Sequence, residues 1–208
     1  REPLDPVRFL GNRSSGRMGY AVAQALAARG AEVCLVSGPT GREPPIVGEL
    51  VKVETASEMH AAVMARVSRC DIFVAVAAVA DYRPGAPRVT KIKKSEDEMT
   101  LRLVKNPDIL AEVAALPGGP FTVGFAAETE QVETYARGKL KAKGLDMIAA
   151  NLVGGPAGGP GHRQGGFDSE DNALLVLWDG GGRSLPLMPK PLLGAELADL
   201  ICERYLAS

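Results

Sequence analysis

Histidine, aromatic residues and excess charge of either sign are scarce in this chain, and each scarcity excludes a class of chemistry. The two histidines among 208 residues, His60 and His162, stand in no metal-ligand or triad spacing. No Gly-x-Ser-x-Gly elbow is present. The three cysteines, Cys34, Cys70 and Cys202, lack both Cys-x-x-Cys spacing and an evident activating neighbour. Catalysis by a nucleophile of the protein is therefore not expected, and the thiol pattern fits a reduced, cytoplasmic protein. Aromatics make up 5% of the residues and the formal net charge is −1, so neither a base-stacking platform nor a basic field for nucleic acid is predicted. No apolar run reaches membrane length and no signal peptide is visible, which predicts no membrane partner. The first residue is Arg1 rather than methionine, as expected of a domain cut from a longer polypeptide.

With 46% apolar residues, a chain of this length can bury a full core, and residues 1–208 read as one soluble α/β domain. Strands are expected at 7–10, 32–37, 50–54, 71–78, 121–125 and 146–149, and helices at 16–29, 57–69, 107–116 and 129–143. Several strands are near-continuous apolar runs, as when both sheet faces are covered. The expectation is a three-layer, Rossmann-like fold with a largely parallel sheet. Gly30 ends the first helix. Residues 83–100, with Pro84, Gly85, Pro87 and mixed charge, read as a mobile excursion before a short strand at 99–104. The Gly- and Pro-dominated stretch 154–166 reads as flexible. Strands at 173–178 and 183–187, joined by Asp179-Gly180-Gly181-Gly182, predict a β-hairpin extension, and a helix over 192–205 closes the chain.

The richest segment is 6–20, where an apolar strand enters a glycine-punctuated turn and then an alanine-rich helix. A helix starting near Gly16 turns unpaired N–H groups and its positive dipole end toward that turn, and Asn12, Ser14 and Ser15 add side-chain donors. The turn suits a phosphate. Gly11 and Gly16 have P-loop spacing, but Arg17-Met18 replaces Lys-Ser/Thr, which excludes a P-loop NTPase. The segment 14–19 is close to a dinucleotide fingerprint with Ser14 in place of its first glycine. The second strand, however, ends in Ser37-Gly38-Pro39-Thr40 without an acid for a ribose. Close packing of helix on sheet is the other reading of Gly16 and Gly19.

Asp81 follows the carboxyl end of strand 71–78, where ligands of open α/β sheets bind, and is read either as a holder of hydrated magnesium or a ligand hydroxyl, or as a turn cap. Ala77 and Ala78 are small where a ligand must come close. Lys91-Ile92-Lys93-Lys94 puts three amines on the excursion, either a solvated face or a flap over a polyphosphate. Asn106 is expected to cap the next helix, with Pro107 at its first position and Asp108 in its first turn. Phe125 ends its strand either in the core or against a flat ring. Lys139 and Lys143 share one helical face. Tyr135-x-x-x-Lys139 matches the pair of short-chain dehydrogenases, and is read as coincidence because the glycine pattern is defective and the ribose acid absent. Backbone donors, amides and lysines together suit a reaction whose nucleophile belongs to the substrate.

Six blocks in order, Asp5-Pro-Val-Arg-Phe-Leu-Gly-Asn-Arg-Ser-Ser-Gly, Ala77-Ala-Val-Ala-Asp-Tyr, Lys91-Ile-Lys-Lys, Val104-Lys-Asn-Pro-Asp-Ile, Gly124-Phe-Ala-Ala-Glu-Thr and Asn151 after Ala149-Ala150, closely resemble phosphopantothenoylcysteine synthetase. The resemblance covers nearly the whole chain. In many bacteria that enzyme is the carboxy-terminal half of a bifunctional coenzyme A biosynthesis protein whose other half is an FMN-dependent decarboxylase. It implies a ligase in which the carboxylate of 4′-phosphopantothenate attacks CTP to give an acyl-cytidylate and pyrophosphate, and L-cysteine then displaces CMP. Magnesium or manganese is the implied metal, with Asp81 a candidate to meet it through water or phosphate. Carried over by motif, Asn12 and Lys91 would be catalytic, with Asn12 on the acyl group. Arg8, Ser14, Ser15, Gly16, Ala77 and Ala78 would hold the substrate. Ala75, Val76, Ala77, Asp81, Pro107, Asp108, Ile109, Leu110 and Phe125 would shape the cytidine pocket, and Lys91, Lys139 and Lys143 would meet the phosphates. Family members are homodimers joined by a sheet extension, which points to 173–187, from Ala173 to Leu187.

The family often has histidine where Arg13 stands and lysine where Arg17 stands, changes that touch phosphate contacts rather than the reaction. A short-chain-type oxidoreductase and a non-catalytic nucleotide-binding module are the competing readings.

Overall fold

The structure is a computed structural model that describes residues 1–93, 97–128, 130–152 and 169–208. The expected flexible stretch 154–166, with His162, and the positions of Lys94 and Thr129 lie outside the described residues.

Side-chain alternation on neighbouring strands decides the layering. Strand β8 (Phe121–Glu128) pairs in parallel with β5 (Ile72–Ala75) on one side and with β9 (Met147–Leu152) on the other; β10 (Asp171–Trp178) and β11 (Gly181–Pro189) continue the sheet antiparallel. Within β9, Met147 and Ala149 join one core cluster while Ile148 and Ala150 join another; within β10, Leu174 and Val176 go with the first and Leu177 with the second. A period of two sends successive side chains to opposite faces, so a five-stranded sheet must be covered twice. One cover is α1 (Arg17–Ala28) with α5 (Lys190–Tyr205), which supply Val22, Leu193, Leu197, Leu200 and Ile201. The other includes α3 (Ile109–Ala114) and α4 (Val132–Lys143), which supply Leu110, Ala136 and Leu140. A third cluster, with Val63 of α2 (Ala56–Met64) against Ile109 and Val113, ties α2 to α3. The three-layer α/β expectation holds.

Several expectations change. The five-stranded sheet is parallel over β5, β8 and β9, with the expected hairpin built onto it antiparallel: β10 lies between β9 and β11, so residues 173–178 are interior, and among the described residues the two edge strands are β11 and β5. The strands β3 (Cys34–Ser37) and β4 (Glu49–Lys52) form a separate parallel pair. The strand expected at 7–10 shrinks to β2 (Phe9–Leu10), antiparallel to β1 (Glu2–Pro3), since the residues between them are bent into a turn around Asp5. The strand expected at 71–78 stops at Ala75, because a tight turn follows in which Val79 N bonds Ala77 O. The helix expected at 57–69 ends at Met64, with a 3₁₀ turn over Val67–Arg69. The hairpin turn is tighter than expected: Gly181 and Gly182 lie in β11, and only Asp179 and Gly180, the latter at φ +71°, stand between the strands. In the excursion, β6 (Tyr82–Pro84) pairs antiparallel with β7 (Leu103–Lys105). Gly30 ends α1 as expected, with φ +88°.

Candidate functional site

The segments that sequence reading singled out meet at the carboxyl end of β5 and β8, joined by a chain of hydrogen bonds. The first link is Asn12, exposed on the turn before α1, whose Nδ2 donates to Val79 O at 3.0 Å. The second is Asn106, which receives no helix: its backbone N donates to Asp81 O at 2.8 Å and its Nδ2 to Ala80 O at 2.8 Å. Arg83 Nη1 donates in turn to Asn106 Oδ1 at 2.9 Å and to Lys105 O at 2.7 Å. Residues 76–81, short-chained and without repetitive structure, are thus held by two asparagines rather than by a strand ladder.

Asp108 caps α3, accepting from Ala111 N at 3.1 Å, which corrects the expectation that Asn106 is the cap and Pro107 the first helical residue. The reason is that Asn106 satisfies the carbonyls of residues 80 and 81 instead. Burial would raise the Asp108 carboxyl, but the Lys143 amine and the Ala111 N–H outweigh it and hold the group below its ordinary value. Lys143 Nζ lies 2.8 Å from Asp108 Oδ2, and Lys139, one turn earlier on α4, donates to Glu128 Oε1 at 2.6 Å. The helical-face reading of the two lysines holds, and each faces a carboxylate at the end of α3 or β8. Exposed pairs of this kind stabilise by only about 0–1 kcal/mol, so their consequence is where the amines stand. Lys139 and Tyr135 line a shallow groove with Glu128, Thr134, Gly138 and Ala142. Asn151 pairs with Ala127 in the β8–β9 ladder, beside Glu128.

The turn before α1 has the conformation that only glycine adopts freely. Gly16 is the residue preceding the helix, at φ +73° and ψ −7°, and no side chain caps the helix end. A Cβ there would come within 2.6 Å of Thr40 Cγ2, so glycine is required on two counts. Ser14 Oγ accepts from Gly16 N at 3.3 Å. Ser15 is half-buried at the helix entrance. Arg17, which stands in the P-loop lysine's place, reaches away to Glu170 at 3.2 Å. A Cβ added at Gly19 would lie 3.7 Å from Val76 Cβ, an ordinary contact, so α1 runs beside the residue after β5 without requiring glycine at this position.

Arg8 and Ile92, the residue after Lys91, come together through Asp5, which accepts from Ile92 N at 3.1 Å. Arg8 Nε and Nη2 donate to Asp5 Oδ2 at 2.9 and 2.6 Å, and Nη2 also donates to Ile92 O at 2.7 Å. Lys91 and Asp81 are exposed, Ala77 is exposed, and Ala78 is half-buried. Ala75 ends β5 opposite Gly124. A side chain at Gly124 would strike Leu110 Cδ2 at 2.9 Å, so its absence lets α3 sit close to the sheet. Phe125 packs against the main core rather than standing free in a pocket. Sequence reading missed Asp5, Asn106 in its bridging role, and Glu128. The Asp5-x-x-Arg8 spacing was the available signal for the first; for the other two the partners are far apart in sequence.

Among the described residues no group of three or more His, Cys, Asp or Glu could hold a metal ion, and no helix is long and apolar enough to cross a membrane. An α/β sheet with amide donors, cationic side chains and a glycine-led helix start at its carboxyl end has the layout that suits a phosphate-bearing ligand. The chain belongs to the family described as the DNA/pantothenate metabolism flavoprotein C-terminal domain, which matches over residues 1–205. It is 52% identical over 207 residues to the coenzyme A biosynthesis bifunctional protein CoaBC of Vibrio cholerae, covering 98% of this chain and 50% of that protein. The chain spans about half the length of the curated relatives it matches. It superposes with a TM-score of 0.81 on a crystal structure of the C-terminal domain of a CoaBC protein, 36% identical, covering 100% of this chain and 92% of that one. A Cab2 mutant in complex with phosphopantothenate-cysteine, 14% identical, has the same fold at a TM-score of 0.76, covering 98% of this chain and 82% of that chain.

Proposed function

We propose that this domain is a phosphopantothenate-cysteine ligase of coenzyme A biosynthesis, driven by CTP, and that in the full-length protein it is fused to an FMN-dependent decarboxylase domain. The observation that carries the reading is the set of bonds from Asn12 to Val79, from Asn106 to residues 80 and 81, and from Lys143 to Asp108, which draws three separated motif blocks and α4 to one end of the sheet. The CoaBC names of the relatives and the phosphopantothenate-cysteine complex of a protein of the same fold support it.

In this reading the 4′-phosphopantothenate carboxylate oxygen attacks the α-phosphorus of CTP, the bond to pyrophosphate breaks, and an acyl-cytidylate forms. The cysteine amine then attacks the acyl carbon, loses a proton, and CMP leaves. Asn12 keeps one amide N–H beyond its bond to Val79 for the acyl oxygen; Arg8, Ser14, Ser15, Gly16, Ala77 and Ala78 hold the substrate. Ala75, Val76, Asp81, Pro107, Ile109 and Leu110 shape the nucleotide pocket with Phe125 behind it, and Lys91, Lys139 and Lys143 meet the phosphates. Cationic donors aimed at the departing pyrophosphate act where charge develops. Magnesium would enter with the triphosphate, since magnesium is ordinarily held by one or two carboxylates plus substrate phosphates, and exposed Asp81 suits that part. A second copy would extend the sheet at the outer edge of β11.

The test is pyrophosphate release from CTP with 4′-phosphopantothenate and no cysteine. A first turnover of pyrophosphate is expected. A covalent cytidylyl-enzyme formed with CTP alone, or release that ignores 4′-phosphopantothenate, overturns the reading.

A further inference from the structure

Asp5 is charged and completely buried, with its side chain 0% exposed, yet it cannot touch a ligand because its carboxylate is fully engaged. Oδ1 accepts from Val7 N at 2.8 Å and Arg8 N at 2.9 Å; Oδ2 accepts from Arg8 Nε at 2.9 Å, Arg8 Nη2 at 2.6 Å and Ile92 N at 3.1 Å. The last contact spans 87 positions of sequence, and Arg8 Nη2 repeats the connection by donating to Ile92 O at 2.7 Å. Both backbone groups of Ile92 are therefore held by one Asp–Arg pair. Arg88 N donates to Leu4 O at 2.9 Å, so the loop is pinned on either side of Lys91 to the same turn, residues 4–8.

No helix or strand occurs between Pro84 and Leu103 among the described residues, so no ladder sets where Lys91 stands. Resting on the ligase reading above, we propose that Asp5 is a positioning residue for Lys91: it fixes Ile92 and, with Arg8, holds the neighbouring lysine at the phosphates. The arrangement also links the two ends of the site, because the turn that fixes Ile92 leads through β2 to Asn12. A misplacement of about 1 Å in a reacting constellation costs on the order of 10²-fold in rate.

Asp5→Asn replaces an acceptor of three N–H bonds at Oδ2 with an amide that cannot accept at both positions. Folding is checked by thermal unfolding and far-UV circular dichroism. Two readouts follow. Amide hydrogen exchange at Ile92 should quicken by about tenfold or more while core amides such as those of β9 keep their protection. Pyrophosphate release should fall on the order of 10²-fold in kcat with KM for CTP within about twofold of wild type, and in a Lys91→Ala background the same substitution should cost no more than about threefold. A structural defect unconnected with Lys91 would instead multiply with the Lys91→Ala loss. Arg8→Lys, which keeps the charge but loses the fork that bridges Asp5 to Ile92 O, carries both readouts if Asp5→Asn does not fold. Unchanged Ile92 exchange, or losses that multiply in an enzyme whose wild type turns over, overturns the proposal. A wild type that releases no pyrophosphate overturns the ligase reading, and the exchange result still reports on the anchor.

Discussion

Lys143 on α4 makes a two-point ion pair with Asp108, its Nζ 3.0 Å from Oδ1 and 2.8 Å from Oδ2, and that carboxylate is also the cap of α3. One side chain thus fixes a helix start and the stance of a cation from another element. A helix of six residues depends strongly on its cap, because few of its N–H groups have partners within it.

Asp108→Ala should lower stability by about 1 kcal/mol, the ordinary worth of a capping side chain. Asp108→Asn keeps the cap and removes only the ion pair, and should cost less than about 0.5 kcal/mol. Thermal unfolding of the two variants separates these contributions; equal losses would assign the effect to charge rather than to capping.

Lys91→Ala should slow pyrophosphate release on the order of 10²-fold while leaving CTP affinity nearly unchanged, since a donor to the departing phosphates acts on the transition state. Stopped-flow release and equilibrium titration with CTP measure the two separately. Wild-type turnover would make Lys91 one more solvated amine.

Asn12→Asp should divide the two half-reactions. The amide donates to Val79 O at 3.0 Å, and a carboxylate in its place would face that carbonyl and repel charge developing on the acyl oxygen. The expected result is a burst of pyrophosphate followed by an accumulated acyl-cytidylate, detected by mass spectrometry after gentle quenching. Full ligase activity in the folded variant would remove Asn12 from the second step.

Acid should weaken the fold through Asp5. Burial pushes its carboxyl up, but the N–H groups of Val7, Ile92 and Arg8 and the Arg8 guanidinium outweigh that and hold it far below the usual carboxylate range. A depressed native pKa means that the contribution is complete above the unfolded value, about 3.9, and drains away as pH falls toward the native value. Denaturant titrations from about pH 5 to about pH 2 should show a steeper loss for wild type than for Asp5→Asn. Asp108, held down by Lys143, contributes with the same sign.

Much of the site was legible because its residues announce themselves locally. The glycine at 16 stands where a turn hands over to a helix, and Lys139 and Lys143, four apart, had to share a face. The apolar runs at 121–125 and 146–149 had to be strands covered on both sides. What stayed illegible were the partners supplied by remote segments. Asn106 looks like a cap beside Pro107, and only the folded chain brings residues 80 and 81 within reach of its amide, which leaves the cap to Asp108. The run 71–78 is apolar enough to remain a strand, yet it stops at Ala75, where the carbonyls that follow find asparagine donors instead of a neighbouring strand. Local composition determines which elements form, because propensity, periodicity and capping act over a few residues. Tertiary structure decided the sheet order and the ties of Asp5 to Ile92 and Asn12 to Val79, because a buried carboxylate or a loop carbonyl takes whichever donor the packing brings to it.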